Sequence, residues 1–146
     1  MTVEEVKKYF MQAFRIEAIA KARKAQLEEL REKRLLISSL TYGEKVKTTP
    51  NFEKFNQLSD LYIQREGECL NDLIRLEKIK IEYAAHISKL TKHTHEQVMS
   101  ERYIMLKKWA DVAKAANYSL SRVHEIHIEA LEEIKEWIEV DYQTVL

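Results

Sequence analysis

A chain of 146 residues has room for one domain or two small ones. Two Gly, one Pro and 33% charged residues, in a composition rich in Glu, Lys, Leu and Ala, point to an all-α protein of long amphipathic helices. The formal net charge is zero, which argues at first sight against a nucleic-acid partner, and the single Cys69 excludes an internal disulfide, as suits a reducing cytosol.

The first predicted helix opens with Thr2-x-x-Glu5, a capping box. Its pattern runs to about Leu40, with a seam at Val6, Tyr9, Ala13, Ile16, Ala20, Leu27, Leu30 and Ile37. Arg23 and Arg34 interrupt that seam. Thr41 to Thr49, TYGEKVKTT, is polar, contains Gly43 and reads as a loop. Pro50 suits the first position of a second helix, with Thr49 as its N-cap.

The second predicted helix runs to about Leu90. Phe55, Tyr62, Cys69, Leu76, Tyr83 and Leu90 repeat every seven residues, and Leu58, Leu73, Ile79 and Ile87 broaden the stripe. A strict seven-residue repeat implies a left-handed supercoil with a partner helix. Each of the two helices is expected to span nearly ~60 Å at the helical rise. Residues 1–90 are therefore expected to form a long antiparallel, coiled-coil-like hairpin that dimerises or binds a partner, with a four-helix bundle as one form of the dimer. Cys69 is expected buried and inert at its heptad position. Gly67 lies mid-helix, at a cost of about 1 kcal/mol relative to Ala, and a kink is its expected role.

Residues 91–146 are expected to form a second domain. Thr91 to His93 is a polar break, and Thr94-x-x-Gln97 reads as a second capping box. The helix it opens carries Val98, Tyr103 and Ile104 and ends near Leu106. Trp109 to Ile128, WADVAKAANYSLSRVHEIHI, then has the spacing of a helix-turn-helix. Trp109, Val112 and Ala116 supply the first helix's core face, and the small Ala113 lets the second helix come close. Asn117 stands at the turn, where a left-handed residue is needed. Ser119 fits the N-cap of the second helix, and Val123 and Ile126 return to the same core. That helix is expected to continue through Leu131, Ile134, Trp137 and Ile138, a stripe that packs either on the hairpin or on a second subunit.

Charge is unevenly spread. Lys89 to Arg122 holds seven Lys or Arg against three acids; from Val123 onward one Lys stands against seven acids. Because fields fall off over about 8–10 Å at physiological salt, a neutral chain can still present a basic face. Modest non-specific affinity for double-stranded DNA is the expectation. Facing away from Val123 and Ile126 are Leu120, Ser121, Arg122, His124 and Glu125, the front edge of a helix entering the major groove behind its cap Ser119. Arg122 is the candidate for a bidentate contact to guanine, Ser121 for a base or phosphate, and Glu125 for cytosine N4. Lys107, Lys108 and Lys114 are candidates for the phosphate backbone, where contacts set register rather than sequence.

The segment ERYIMLKKWADVAKAANYSLSRVHEIHIEAL, Glu101 to Leu131, resembles region 4 of bacterial sigma factors. More closely, the chain looks like small phage-encoded late transcription regulators of the ArpU/RinA type. Arg102-Tyr103, Trp109, Val112-Ala113, Tyr118-Ser119 and Glu129-Ala130-Leu131 carry the match, with Asn117 where the pattern has Gly. The first ninety residues are similar only in kind, as a variable helical region. The resemblance implies activation of phage late genes, for packaging and structural proteins, inside a bacterial host. RNA polymerase is a further partner to consider, contacted by the hairpin while the motif holds DNA. A complete sigma factor is not expected, because promoter melting needs a separate aromatic-bearing domain.

Other chemistry is set aside. His93-x-His95 and His124-x-x-His127 lack nearby cysteines and the spacing of a four-ligand zinc site, so no metal or cofactor is expected. His124 is expected to face DNA and His127 to pack at the edge of the core. Paired acids such as Glu28-Glu29 and Glu132-Glu133 read as exposed charge patterning, and no nucleophile motif or phosphate loop is present. No apolar run approaches the ~18 residues of a membrane span, and MTVEEVKKYF lacks the order of a signal peptide. A soluble, cytoplasmic protein without catalytic residues is the expectation. The competing reading is a structural or adaptor protein in which the hairpin binds another protein.

Overall fold

The computed structural model describes residues 1–41 and 50–138. Among them the chain is all-α, with no strand. Five α-helices follow one another: α1 (Val3–Thr41), α2 (Pro50–Ile87), α3 (His93–Met99), α4 (Trp109–Ala116) and α5 (Leu120–Ile134). A π-helical turn, Ser100–Ile104, continues α3. Of the expected loop from Thr41 to Thr49, Thr41 still belongs to α1, and the rest, with the Thr49 cap, lies outside the described residues. None of the described helices is long and apolar enough to cross a membrane.

The opening of α1 has the predicted capping box. The Glu5 amide donates to Thr2 Oγ1 at 3.3 Å, and the Thr2 amide to a Glu5 carboxylate oxygen at 3.4 Å. Each satisfies a backbone donor that the first turn cannot. No such box forms at α3. That helix begins at His93, its cap residue Lys92 offers no side-chain bond, and Gln97 donates instead to the Ala115 carbonyl at 3.3 Å. Gln97 therefore satisfies the end of α4 rather than the start of its own helix.

The chain forms two compact units. One comprises Met1–Ile16 with the described residues from Leu76 onward; the other is Glu17–Arg75. Packing thus divides the chain differently from a cut between residues 90 and 91. The reason is the apolar start of α1. Val6, Tyr9, Phe10, Ala13 and Ile16 bury in one core with Tyr83, Ile87, Tyr103, Leu131, Ile134 and Ile138. The stripe at the end of α5 is therefore covered within the chain, by the early residues of α1 and the late residues of α2. The helix itself ends at Ile134, and a turn carries Trp137 and Ile138 back onto that core.

Inside this core the hydroxyls of Tyr9 and Tyr83 are paired. Tyr83 donates its hydroxyl to the Tyr9 carbonyl at 2.6 Å, and the Tyr9 hydroxyl donates to Glu82 at 3.1 Å. The rings of Tyr9, Phe10, Tyr83 and Tyr103 meet at centroid separations of 4.7–5.2 Å, in edge-on and tilted arrangements. Such geometries set the positive ring edge against the negative face.

In the unit Glu17–Arg75, α1 and α2 pass in opposite directions: Arg23 pairs with Asp72, and Arg34 lies over Tyr62. These two arginines are the ones that interrupt the apolar seam. Arg23 donates to the buried Asp72 at 2.7 Å, and the Arg34 guanidinium sits 4.5 Å from the Tyr62 ring centre. Leu27 is buried, but Ala20, Leu30, Ile37, Phe55, Tyr62 and Cys69 are only half-buried. Two helices alone cover each other incompletely, whereas Leu76, Tyr83 and Leu90 lie in a core that α5 also closes. Two expectations change accordingly. Cys69 is half-buried rather than buried, though desolvation, with Asp72 next, still pushes its thiol up. Leu73 is exposed and does not broaden the seam. The helix runs on through Gly67, where a Cβ would meet nothing within 4 Å.

Candidate functional site

α4 and α5 close on a small core of their own. Val112, Ala113, Val123 and Ile126 are buried together with Val98 of α3, and Trp109 and Ala116 pack at its margin. All but Val98 are the positions that the spacing predicts. Asn117 ends α4 in the left-handed conformation, φ 59° and ψ 39°. The Tyr118 amide then bonds back to the Ala113 carbonyl at 3.1 Å, and the Asn117 amide to Lys114 at 3.3 Å. This is a Schellman ending, normally built on Gly; Asn is the side chain that tolerates it next best. Ser119 is extended, and its hydroxyl accepts from the Arg122 amide at 3.2 Å. A helix thus restarts after three intervening residues, Asn117 to Ser119.

The predicted front edge is exposed. Ser119, Leu120, Ser121, Arg122, His124 and Glu125 all lie on the surface, with Leu120 retaining 49% of its accessible area. They are not equally free. Arg122 lies 3.1 Å from Glu125 and 3.4 Å from Glu129 on its own helix. His124 sets its ring 4.8 Å from that of Trp109. Of the lysines, Lys108 and Lys114 are exposed, while Lys107 is half-buried and paired with Glu101.

Two residues of the segment Glu101 to Leu131 prove to be structural. Arg102 is sandwiched between the rings of Phe14 and Trp109, at 4.3 and 4.5 Å, and donates to the Lys107 carbonyl at 2.8 Å. Its planar cation suits two aromatic faces. Tyr103 is fully buried, with its hydroxyl 2.6 Å from His127 Nε2. Burial, aided by Lys7, Arg102 and His124, pushes His127 down to about 3, so the ring is neutral and accepts from Tyr103. His127 thus lies inside the core rather than at its edge.

The approach to α4 differs from the expected single helix ending near Leu106. After the π-helical turn, Leu106 is left-handed at φ 56°, and the Lys107 amide bonds to the Glu101 carbonyl at 3.2 Å. Leu is a poor occupant of that conformation, and the packing of Leu106 against the main core offsets the strain. Sequence gave no signal for this, because a π turn depends on what its side chains meet.

The segment before α3 is tied to α5 by acids. The Thr91 amide donates to Glu133 at 3.0 Å. The buried His95 ring places Nε2 2.9 Å from Glu129, and Nδ1 3.7 Å from Glu133. The His95 contact first, and Arg122 after it, hold the Glu129 carboxyl below the usual carboxylate range. Among the described residues no group of three or more His, Cys, Asp or Glu side chains is placed to hold a metal ion. No known family, curated protein or solved structure matches the chain.

Proposed function

We propose that the chain is a sequence-specific double-stranded DNA-binding transcription regulator, with α4 and α5 as a helix-turn-helix and α5 as the helix that enters the major groove. The observation that carries this reading is the α4–Asn117–Ser119–α5 unit. It closes on a small core with Val98 of α3 and leaves Leu120, Ser121, Arg122, His124 and Glu125 exposed at a capped helix start. Such a start brings short side chains and backbone donors to a groove without burying them first. Exposed Lys108 and Lys114 serve the phosphates. In this reading Arg122 reads guanine, Ser121 a base or phosphate, and Glu125 cytosine. The protein is a late-gene regulator of the ArpU/RinA type acting in the cytoplasm of a bacterial host. It is not an enzyme, and α1 with α2 forms the hairpin that dimerises or meets RNA polymerase.

Selection of duplexes from a random library by the purified protein, followed by salt titration, tests the reading. Arg122→Ala is expected to relax preference at one base position and to cost about 1–3 kcal/mol on the selected duplex. Unchanged preference removes Arg122 from that role. Lys108→Ala is expected instead to weaken all duplexes alike and to lower the salt slope by about 1. A slope that does not move removes Lys108 from the phosphates.

One observation favours the adaptor reading. Ile63, Leu70 and Ile74 of α2 are all more than half exposed and fall on one face of that helix. Light scattering distinguishes a homodimer from a monomer. Capture of purified RNA polymerase without any salt-dependent DNA binding would favour an adaptor.

A further inference from the structure

Arg122 stands at the start of α5, but its guanidinium does not reach forward. It is folded back along the helix onto Glu125, three residues on, and Glu129, seven residues on. Such exposed pairs are weak when both partners are free to move. Glu129 is not free. One of its oxygens takes Arg122, while the other lies 2.9 Å from Nε2 of His95, whose side chain is 5% exposed. His95 belongs to a different helix and is flanked on its second nitrogen by Glu133, which also accepts from the Thr91 amide. The carboxylate facing Arg122 is therefore anchored to the packed part of the domain before any ligand arrives. Much of the entropy of holding an ion pair in one geometry has already been lost on folding.

We infer that Glu129 is a positioning residue that holds Arg122 back and thereby raises the discrimination of the α5 edge between nucleic-acid sequences. This rests on the reading of α5 as the DNA-facing helix. The chemistry is a competition. A lone phosphate offers Arg122 about what the carboxylates already offer, so exchange gains little. A guanine edge presents O6 and N7 together, in the geometry that a guanidinium fork matches. Only the second ligand repays the loss of both carboxylates. Glu129 thus lowers affinity for arbitrary duplexes more than for a duplex with guanine at the right place.

The test uses the full chain and two duplexes: one selected by the wild-type protein from a random library, and one of random sequence. Glu129→Gln is expected to tighten binding to the random duplex by about two- to fivefold, the range of an exposed ion pair. The selected duplex should gain less, so the ratio between the two falls. Glu132→Gln removes the same charge from the exposed surface of the same helix, outside the carboxylates that pair with Arg122, and is expected to leave the ratio unchanged. In an Arg122→Ala background, Glu129→Gln is expected to have no further effect on the ratio. If circular dichroism shows that Glu129→Gln fails to fold, Glu129→Asp, which keeps the charge but shortens the reach, replaces it with the same expected fall. The inference is overturned if Glu129→Gln and Glu132→Gln act alike, or if the effect persists without Arg122. If the wild-type protein selects no duplex and shows no salt-dependent binding, the DNA reading itself fails, and this inference fails with it. Wild-type selectivity with an inert Glu129→Gln overturns the inference alone.

Discussion

Acid is expected to unfold the wild-type protein well before it unfolds a variant in which Tyr103 and His127 are both Phe. His127 is buried, neutral and held down to about 3 against an ordinary value near 6.5. In the unfolded chain the ring takes a proton as pH falls through ~6.5. In the folded chain it does not until about 3. Between those values the unfolded state binds one more proton. The His127 contribution is therefore complete above ~6.5 and is lost progressively as pH falls toward 3, by about 1.4 kcal/mol for each pH unit. Across the whole window that amounts to several kcal/mol, a large share of a small protein's stability. The double variant keeps an apolar core of similar volume and leaves no hydroxyl without a partner. Its urea-unfolding free energy is expected to decline less steeply with acid. Parallel curves for the two proteins from pH 7 to 4 would show that His127 takes up its proton without unfolding.

Ile126→Ala is expected to cost about 2–5 kcal/mol, the range for deleting a large aliphatic side chain from a packed interior. Ile126 is fully buried, and among the described residues the cluster it joins has only Val98, Val112, Ala113 and Val123 as its other buried members. So small a core has little capacity to close around a void. Ile128 is two residues on and 52% exposed, so Ile128→Ala should change stability by no more than about 0.5 kcal/mol. Chemical denaturation followed by far-UV circular dichroism compares the two directly. Under the proposed function the contrast extends to DNA. Ile126→Ala removes binding by loosening α5 against α4, and restoring the fold with a stabilising osmolyte restores binding. Equal losses for the two variants would mean that this cluster does not hold α5 in place.

The parts of the molecule that the sequence made legible are those governed by a few neighbouring residues. The Thr2–Glu5 box, the left-handed Asn117 and the Ser119 cap each depend on groups within five positions of one another. Helical periodicity likewise placed Val112, Val123 and Ile126 on the faces that meet. The same logic failed at Thr94, because Gln97 found the carbonyl of Ala115 eighteen residues away. It also failed at Arg102, a surface-type residue whose place between Phe14 and Trp109 requires three separate segments to meet. Within the candidate site, exposure of the α5 edge was readable from its period. The tethering of Arg122 by Glu129 and His95 was not.

By itself, then, the sequence determined an all-α chain, where α1, α4 and α5 begin or end, and which faces of α4 and α5 meet. These follow from backbone sterics, capping and a repeat of three to four residues, all of them local. Tertiary structure alone decided that the first turns of α1 belong in one core with the end of α5, that His127 is held neutral inside it, and that Arg122 is restrained. Each of those outcomes needs residues distant in sequence to share a low-dielectric space, where burial and pairing set charge and position more strongly than local preference does.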